Sequence, residues 1–326
     1  QQSGADFELV VTSAAYGLSA AQIAALPNLR AVCSFGVGYD SIDVKALQQR
    51  GIVLSNTPDV LTDCVADVAM GLLIDVSRGI SAGDRYARAG LWGSKQRFGM
   101  GTRVTGKKLG ILGLGRIGLA IAERAQGFKM IIGYHNRKPV ADAAQTYFDS
   151  VVALAQWADY LVVACPGGAA TEHLVNAKVL QALGEQGFLI NIARGSVVDE
   201  AALVAALEAE QLAGAALDVF EHEPHIPAAL LQDERVVITP HIGSATAQTR
   251  RAMGELNVSQ EIAMLERMLR AHQANTSLLK QRHEHRARSH AVKPTYGHIN
   301  GPCLQLLHWC DITVSGHKMH RGMRCL

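Results

Sequence analysis

Long hydrophobic runs are missing from this 326-residue chain: no stretch of about 18 apolar residues, the length a membrane-crossing helix needs, occurs in it. The opening, QQSGADFELVV, has no basic segment followed by an apolar one, so nothing there reads as an export signal. A membrane is therefore not an expected partner. Methionine is also missing from the first position, so the sequence can begin inside a longer protein. There is no C-x-x-C pair and no dense cysteine framework. Six cysteines are scattered at Cys33, Cys64, Cys165, Cys303, Cys310 and Cys325, the pattern of reduced, mostly buried thiols in a cytoplasmic enzyme. Excess charge is lacking too. The formal net charge is +2, and residues 271–326 hold eight Lys/Arg against two acidic groups, which leaves the body at 23 basic and 27 acidic side chains. A body that is slightly acidic is not an expected nucleic-acid binder.

What is present is 48% hydrophobic and 18% charged residues, a composition for a globular core in about two domains. Short apolar strands at 7–13, 30–35 and 52–55 alternate with helical segments near 20–26 and 44–50, which predicts a parallel α/β layer. Residues 63–80 predict a long helix started by Thr62 or Asp63, with so few charges that more than one side is buried. A glycine-bearing loop containing Trp92 and Phe98 follows. From Lys107 the alternation continues through six predicted strands, at 108–112, 130–134, 160–164, 188–191, 215–219 and 236–239. Six parallel strands with helical crossovers make a full doubly wound dinucleotide-binding sheet.

The chemistry starts in the first of these strands. Gly113-Leu114-Gly115-Arg116-Ile117-Gly118 fits G-x-G-x-x-G, with a strand before it, an amphipathic helix after it and a strand next. Gly113 permits the turn, Gly115 lets backbone approach a pyrophosphate, and Gly118 lets the helix pack closely, while the helix N-terminus completes an anion site. An NAD site of this kind places Asp or Glu about 20 residues on, where it accepts from the ribose hydroxyls. Here His135 holds that place, followed by Asn136, Arg137 and Lys138. No acidic group repels a 2′-phosphate, and Arg137, with Lys138 second, can pair with one, so NADP(H) is expected over NAD(H).

Three polar residues follow predicted strands of the second half: Arg194 in NIARG, Glu223 in DVFEHEP and His241 in TPHIGS. In a parallel sheet such loops share one edge with the glycine loop, so the three can converge. Hydride transfer to a ketone needs a proton donor, for which histidine titrates in the right range. A carboxylate on its other nitrogen favours imidazolium. Arginine can bind the carboxylate of a 2-oxo acid and polarise the adjacent carbonyl. A second glycine loop, Phe35-Gly36-Val37-Gly38-Tyr39-Asp40, also lies at a strand end.

In the order GLGRIG, CPGG with Thr171, NIARGSVVDE, LDVFEHEP and TPHIGSAT, the chain resembles the D-isomer-specific 2-hydroxyacid dehydrogenase family over about residues 7–265. The HNRKP segment resembles most its glyoxylate/hydroxypyruvate reductase branch. The resemblance implies an α/β, two-domain architecture with doubly wound parallel sheets, a Rossmann cofactor domain (57–245) inserted in a flavodoxin-like substrate domain (1–56 and 246–270), and a homodimer formed through the cofactor domain. It implies hydride transfer from NADPH to a small 2-oxo acid, glyoxylate or hydroxypyruvate, giving glycolate or D-glycerate. Arg194 is implied to bind substrate, Glu223 to support the histidine, His241 to be the acid/base, and the Val37 and Gly38 amides to hold the substrate carboxylate. Asp218 and the Ala193 carbonyl are implied on the nicotinamide amide, Arg116 and Ile117 on the pyrophosphate, and Cys165, Pro166, Thr171 and Gly243 also in the cofactor site. The family has one further strand and helix before the position of Phe7.

Two other readings compete. Corepressors of this fold bind NAD(H) and hold peptide motifs, and they can retain the Arg/Glu/His set. The tail from residue 271, with eight of the 13 histidines and half the cysteines, suggests metal or nucleic acid, but no spacing matches a zinc site. No metal is expected, and the tail is expected to be a disordered extension.

Overall fold

The computed structural model describes residues 4–95 and 97–289. Residues up to Val258 form one compact unit, and a second begins at Ser259.

The first unit contains two parallel sheets. The smaller has three strands, β1 (Leu9–Thr12), β2 (Ala31–Ser34) and β3 (Val53–Ser55), in sequence order. Helices α1 (Ala20–Ala24) and α2 (Val44–Gln49) make the crossovers, and Ile23 and Leu47 are buried between helix and sheet. Both helices begin where a side chain takes an orphan amide: Ser19 accepts from Gln22 N–H and Asp43 from Ala46 N–H.

Helix α3 (Thr62–Arg78) follows. Its buried positions, Val65, Ala66, Ala69, Met70, Leu72 and Leu73, cover more than one side, as its low charge predicts. Its N-cap is Leu61, which makes no side-chain cap, so neither Thr62 nor Asp63 caps it. Gly79, with φ 63°, ends it in the left-handed conformation, and α4 (Ile80–Arg88) starts directly. The segment expected as loop thus begins as a second helix. Its apolar content is too sparse for a buried stripe, and none of its residues is buried.

The larger sheet contains β4 (Lys108–Leu112), β5 (Ile131–His135), β6 (Thr146–Tyr147), β7 (Tyr160–Val163), β8 (Phe188–Asn191), β9 (Gly214–Leu217) and β10 (Val236–Ile238). Their order is β10-β9-β8-β7-β4-β5-β6, all parallel. The six expected strands are all there. The seventh, β6, spans two residues and carries too little apolar pattern to be read from sequence. The order in which strands are added reverses between β4 and β7, the switch point where such sheets bind ligands at their carboxyl ends. Leu109 and Ile111 of β4 are fully buried, each contributing about 1.5–3 kcal/mol.

Helices α5 (Arg116–Gln126), α6 (Val151–Trp157), α7 (Ala177–Leu183), α8 (Glu200–Glu208) and α9 (Ala228–Gln232) complete the crossovers. The last helix, α10, runs Ala247–Ser289. Residues 271–289, expected to be disordered, continue it: the stretch is free of Gly and Pro up to Pro294 and rich in Leu, Lys, Gln, Arg and Ala, all good helix formers. The histidines and cysteines after 289 lie outside the described residues. Among the described residues no helix is long and apolar enough to cross a membrane, and no three His, Cys, Asp or Glu gather as a metal site.

Candidate active site

The glycine loop joins β4 to α5. Gly113 has φ 105°, and a Cβ there would stand 2.6 Å from the Cys165 backbone nitrogen, so only glycine allows the β4 and β7 ends to approach this closely. A Cβ on Gly118 would overlap the Gly113 carbonyl oxygen, whereas one on Gly115 would meet nothing within 4 Å. Two of the glycines are thus needed for packing. The space beside the third is open, as close approach of a pyrophosphate to backbone requires.

The strand after α5 ends at His135, whose Nδ1 lies 2.8 Å from the Phe148 carbonyl and whose ring stacks near Tyr147. Asn136 turns back to the glycine loop: its Oδ1 accepts from Leu114 N–H at 2.7 Å. Its side chain is committed to holding that loop, which the sequence grouped instead with the cationic cluster. Arg137 and Lys138 are exposed, and neither has a side-chain partner among the described residues. Residues 113–118 and 135–138 fit a phosphorylated dinucleotide: an uncluttered loop, a helix N-terminus, two free cations, and no carboxylate at the end of β5. Arg116, expected on the pyrophosphate, pairs with Asp59 at 2.7 Å in an exposed contact that water screens. Cys165 is buried and its thiol pushed up to about 11 by desolvation, and Thr171 donates to the Pro166 and Gly168 carbonyls within its own loop.

At the ends of β8 and β9, two buried polar residues organise the loops that follow: Asn191, which the sequence reading gave no role, and Asp218, which it placed on the nicotinamide amide. Asn191 accepts from Ala193 N–H through Oδ1 and donates from Nδ2 to the Arg194 carbonyl, so it sets the Arg194 turn. Asp218, 1% exposed, does the same for His241: its carboxylate accepts from Thr239 Oγ1 at 2.6 Å, Ile242 N–H at 2.7 Å and Gly243 N–H at 2.8 Å. His241 itself has φ 52°, a left-handed conformation costing about 1–2 kcal/mol, which this grip offsets. Asp218 is therefore a builder of the histidine turn, with most of its acceptor capacity used there. A polar residue at a strand end before a glycine turn was the available signal.

His241 Nδ1 lies 2.8 Å from Glu223 Oε2. Burial pushes the Glu223 carboxyl up, but the hydrogen bond and charge of His241, the Phe220 amide on Oε1 at 3.1 Å, and the charge of Arg194 outweigh it, and the carboxyl sits below its ordinary value. Glu223 is thus ionised and fixes Nδ1 as the donor, and Nε2 makes no hydrogen bond among the described residues. A second pair lies beside it: His173 Nε2 is 2.8 Å from Glu221 Oε1, which ties the loop after β7 to the loop after β9.

Arg194 reaches the small-sheet loop. A Cβ on Gly38 would overlap Arg194 Nη2, so the guanidinium rests on the Gly38 backbone. Carbonyls of that loop accept from Asn56 Nδ2 and Ser34 Oγ, while the Val37 and Gly38 N–H groups make no hydrogen bond among the described residues. Arg194 Nε donates to Asp40, and Nη1 donates to the Ala193 carbonyl at 2.7 Å. The Ala193 oxygen expected on the nicotinamide amide is thus engaged by Arg194, and the arginine keeps Nη2 and one Nη1 hydrogen without a protein acceptor among the described residues.

The family model for the NAD binding domain of D-isomer specific 2-hydroxyacid dehydrogenases matches residues 70–243. The chain belongs to this family. Among its relatives, the 2-hydroxyacid dehydrogenase chain is 48% identical over 270 residues to glyoxylate/hydroxypyruvate reductase A of Arabidopsis thaliana, covering 83% of each. It is 44% identical over 245 residues to a glyoxylate reductase of Pyrococcus horikoshii, covering 73% of each. Among solved structures it resembles an NADPH-dependent glyoxylate/hydroxypyruvate reductase of Sinorhizobium meliloti in complex with NADP and malonate, with 45% identity, a TM-score of 0.76, and coverage of 79% of this chain and 81% of that one. This dehydrogenase is a 2-oxo acid reductase using a nicotinamide cofactor.

Proposed function

We propose that the chain reduces glyoxylate and hydroxypyruvate to glycolate and D-glycerate, with NADPH preferred. The observation that carries this reading is the placement of Arg194 Nη2 against Gly38, beside Val37 and Gly38 amides that make no hydrogen bond among the described residues, in a site whose Glu223 feels the charge of Arg194 and holds His241. Arg194 and the two amides bind the substrate carboxylate, and Nη2 polarises the carbonyl. Gly113–Gly118 would hold the nicotinamide cofactor, which would supply the hydride for reduction of the carbonyl carbon. His241 Nε2 gives its proton to the carbonyl oxygen as charge develops there, and Glu223 stabilises the imidazolium before transfer. For the cofactor, Arg137 is the main and Lys138 the lesser partner of a 2′-phosphate, His135 bounds the adenosine end, and Asn136 acts through the glycine loop.

The names of the relatives also support a reductase and do not favour the corepressor reading. The cofactor domain is assigned to 57–245 and the substrate domain to 1–56 with 246–270, a division that follows the two sheets. A homodimer is part of the same proposal, supported by Ile80, Trp92 and Met100, which are 57%, 83% and 102% exposed around α4. A cytoplasmic location rests on the scattered free cysteines. Steady-state rates for glyoxylate, hydroxypyruvate, pyruvate and phenylpyruvate, each with NADPH and NADH, test the assignment. The first two with NADPH are expected to give the highest kcat/KM. Failure to turn over any of the four with either cofactor would sink it.

A further inference from the structure

We propose that Asp40 is a positioning residue for substrate binding: it holds Arg194 by Nε and so determines that Nη2 is the donor presented over the Gly38 backbone. The inference rests on the reductase reading for its kinetic consequence, but the ion pair can be tested without it.

Arg194 Nε donates to both oxygens of Asp40, at 3.0 and 3.2 Å. The side chains are 24% and 23% exposed, so this pair is screened far less than Arg116–Asp59, at 69% and 68%. The residues are 154 apart in sequence and belong to different sheets: Asp40 stands on the loop after β2, Arg194 on the loop after β8. Two glycines make the contact possible. A Cβ on Gly38 would overlap Nη2, and one on Gly167 would stand 2.7 Å from Arg194 Cγ and 3.4 Å from the Asp40 carboxyl carbon. The loops after β2, β7 and β8 therefore close around one ion pair.

An unheld arginine would bind a carboxylate through its Nε and Nη2 edge, the usual fork. Asp40 already occupies Nε, and the Ala193 carbonyl takes one Nη1 hydrogen. What remains is Nη2, which lies against Gly38, with the second Nη1 hydrogen; the Val37 and Gly38 amides of that loop make no hydrogen bond among the described residues. This set can donate to one carboxylate oxygen and the neighbouring carbonyl oxygen together, the geometry a 2-oxo acid needs for polarisation. Asp40 also reduces the number of rotamers Arg194 must abandon when substrate binds.

The test is a double-mutant cycle in the full chain, with Asp40→Ala, Asp40→Asn, Arg194→Ala and Asp40→Ala/Arg194→Ala, reading KM and kcat for glyoxylate and the Kd of NADPH by fluorescence. Asp40→Ala is expected to raise KM by about tenfold with NADPH Kd unchanged, and to add nothing in the Arg194→Ala background. Asp40→Asn, which keeps an acceptor for Nε, should restore most of the loss. An Asp40→Ala effect of the same size with and without Arg194 would overturn the proposal, as would an Asn variant no better than Ala. Should the variants fold poorly, the wild-type chain still decides: with arginine-selective 15N labelling, the Arg194 Nε–H resonance should exchange slowly with water, and fast exchange overturns the ion pair. A wild-type chain that shows a protected Nε–H but reduces no 2-oxo acid would refute the reductase reading alone.

Discussion

Glu223 Oε2 holds His241 Nδ1 at 2.8 Å, while the other oxygen of the same carboxylate accepts the Phe220 amide, so the base partner of the histidine is locked to its own loop. His241→Asn removes the proposed proton donor without disturbing the glycine loop. It should lower kcat by about 10²-fold or more with NADPH affinity unchanged. Arg194→Ala should instead raise KM as well, since the carboxylate loses its cation. Steady-state kinetics and cofactor titration on both variants separate the two roles; a near-normal kcat in His241→Asn would make the histidine structural.

Gly115 and Gly118 are three residues apart in one motif, yet should fail in different ways. Gly115→Ala places its Cβ in open space, at φ −95°, so thermal stability should hold while NADPH affinity falls. Gly118→Ala drives a Cβ into the Gly113 carbonyl, which is backbone and cannot swing aside, and should cost about 1–3 kcal/mol of stability. Melting temperature and cofactor Kd measured together check this. Equal losses of stability in the two variants would contradict it.

The His173–Glu221 pair predicts a pH signature. The hydrogen bond to Glu221 raises the His173 pKa above its ordinary 6.5, against a smaller desolvation effect and with help from the charges of Glu221, Asp199 and Glu172. A group whose folded pKa is raised adds stability that is complete below the unfolded value and is lost as pH rises through the folded one. The melting-temperature gap between wild type and His173→Gln should therefore be larger at about pH 6 than at about pH 9. A gap that is constant or grows with pH would show that the pair is not ionic.

Arg137 is exposed and has no partner among the described residues, so its removal tests cofactor choice with little risk to the fold. Arg137→Ala should largely abolish a preference for NADPH over NADH in kcat/KM, and added salt should weaken the preference in wild type. An unchanged preference would move the role to Lys138 or His135.

The alternation of strands and helices was legible in the sequence because it is a local property: side-chain period and glycine placement act over a few neighbours. The glycine motif, the basic turn after β5, and the Arg194, Glu223 and His241 loops were legible for the same reason, since each follows an apolar strand. The two-residue β6 and the exposed α4 were not, because neither buries a recognisable face.

Only tertiary structure decided where polar side chains end. Asp40 meets Arg194 across 154 residues, Asn136 reaches Leu114 across 22, and Asp218 builds the turn of His241 from the adjacent strand. Sequence supplies the donors and acceptors, but buried polar groups must be satisfied by whatever the packed sheets bring within about 3 Å, and that distance is set by the register and switch point of the sheet rather than by any neighbouring residue.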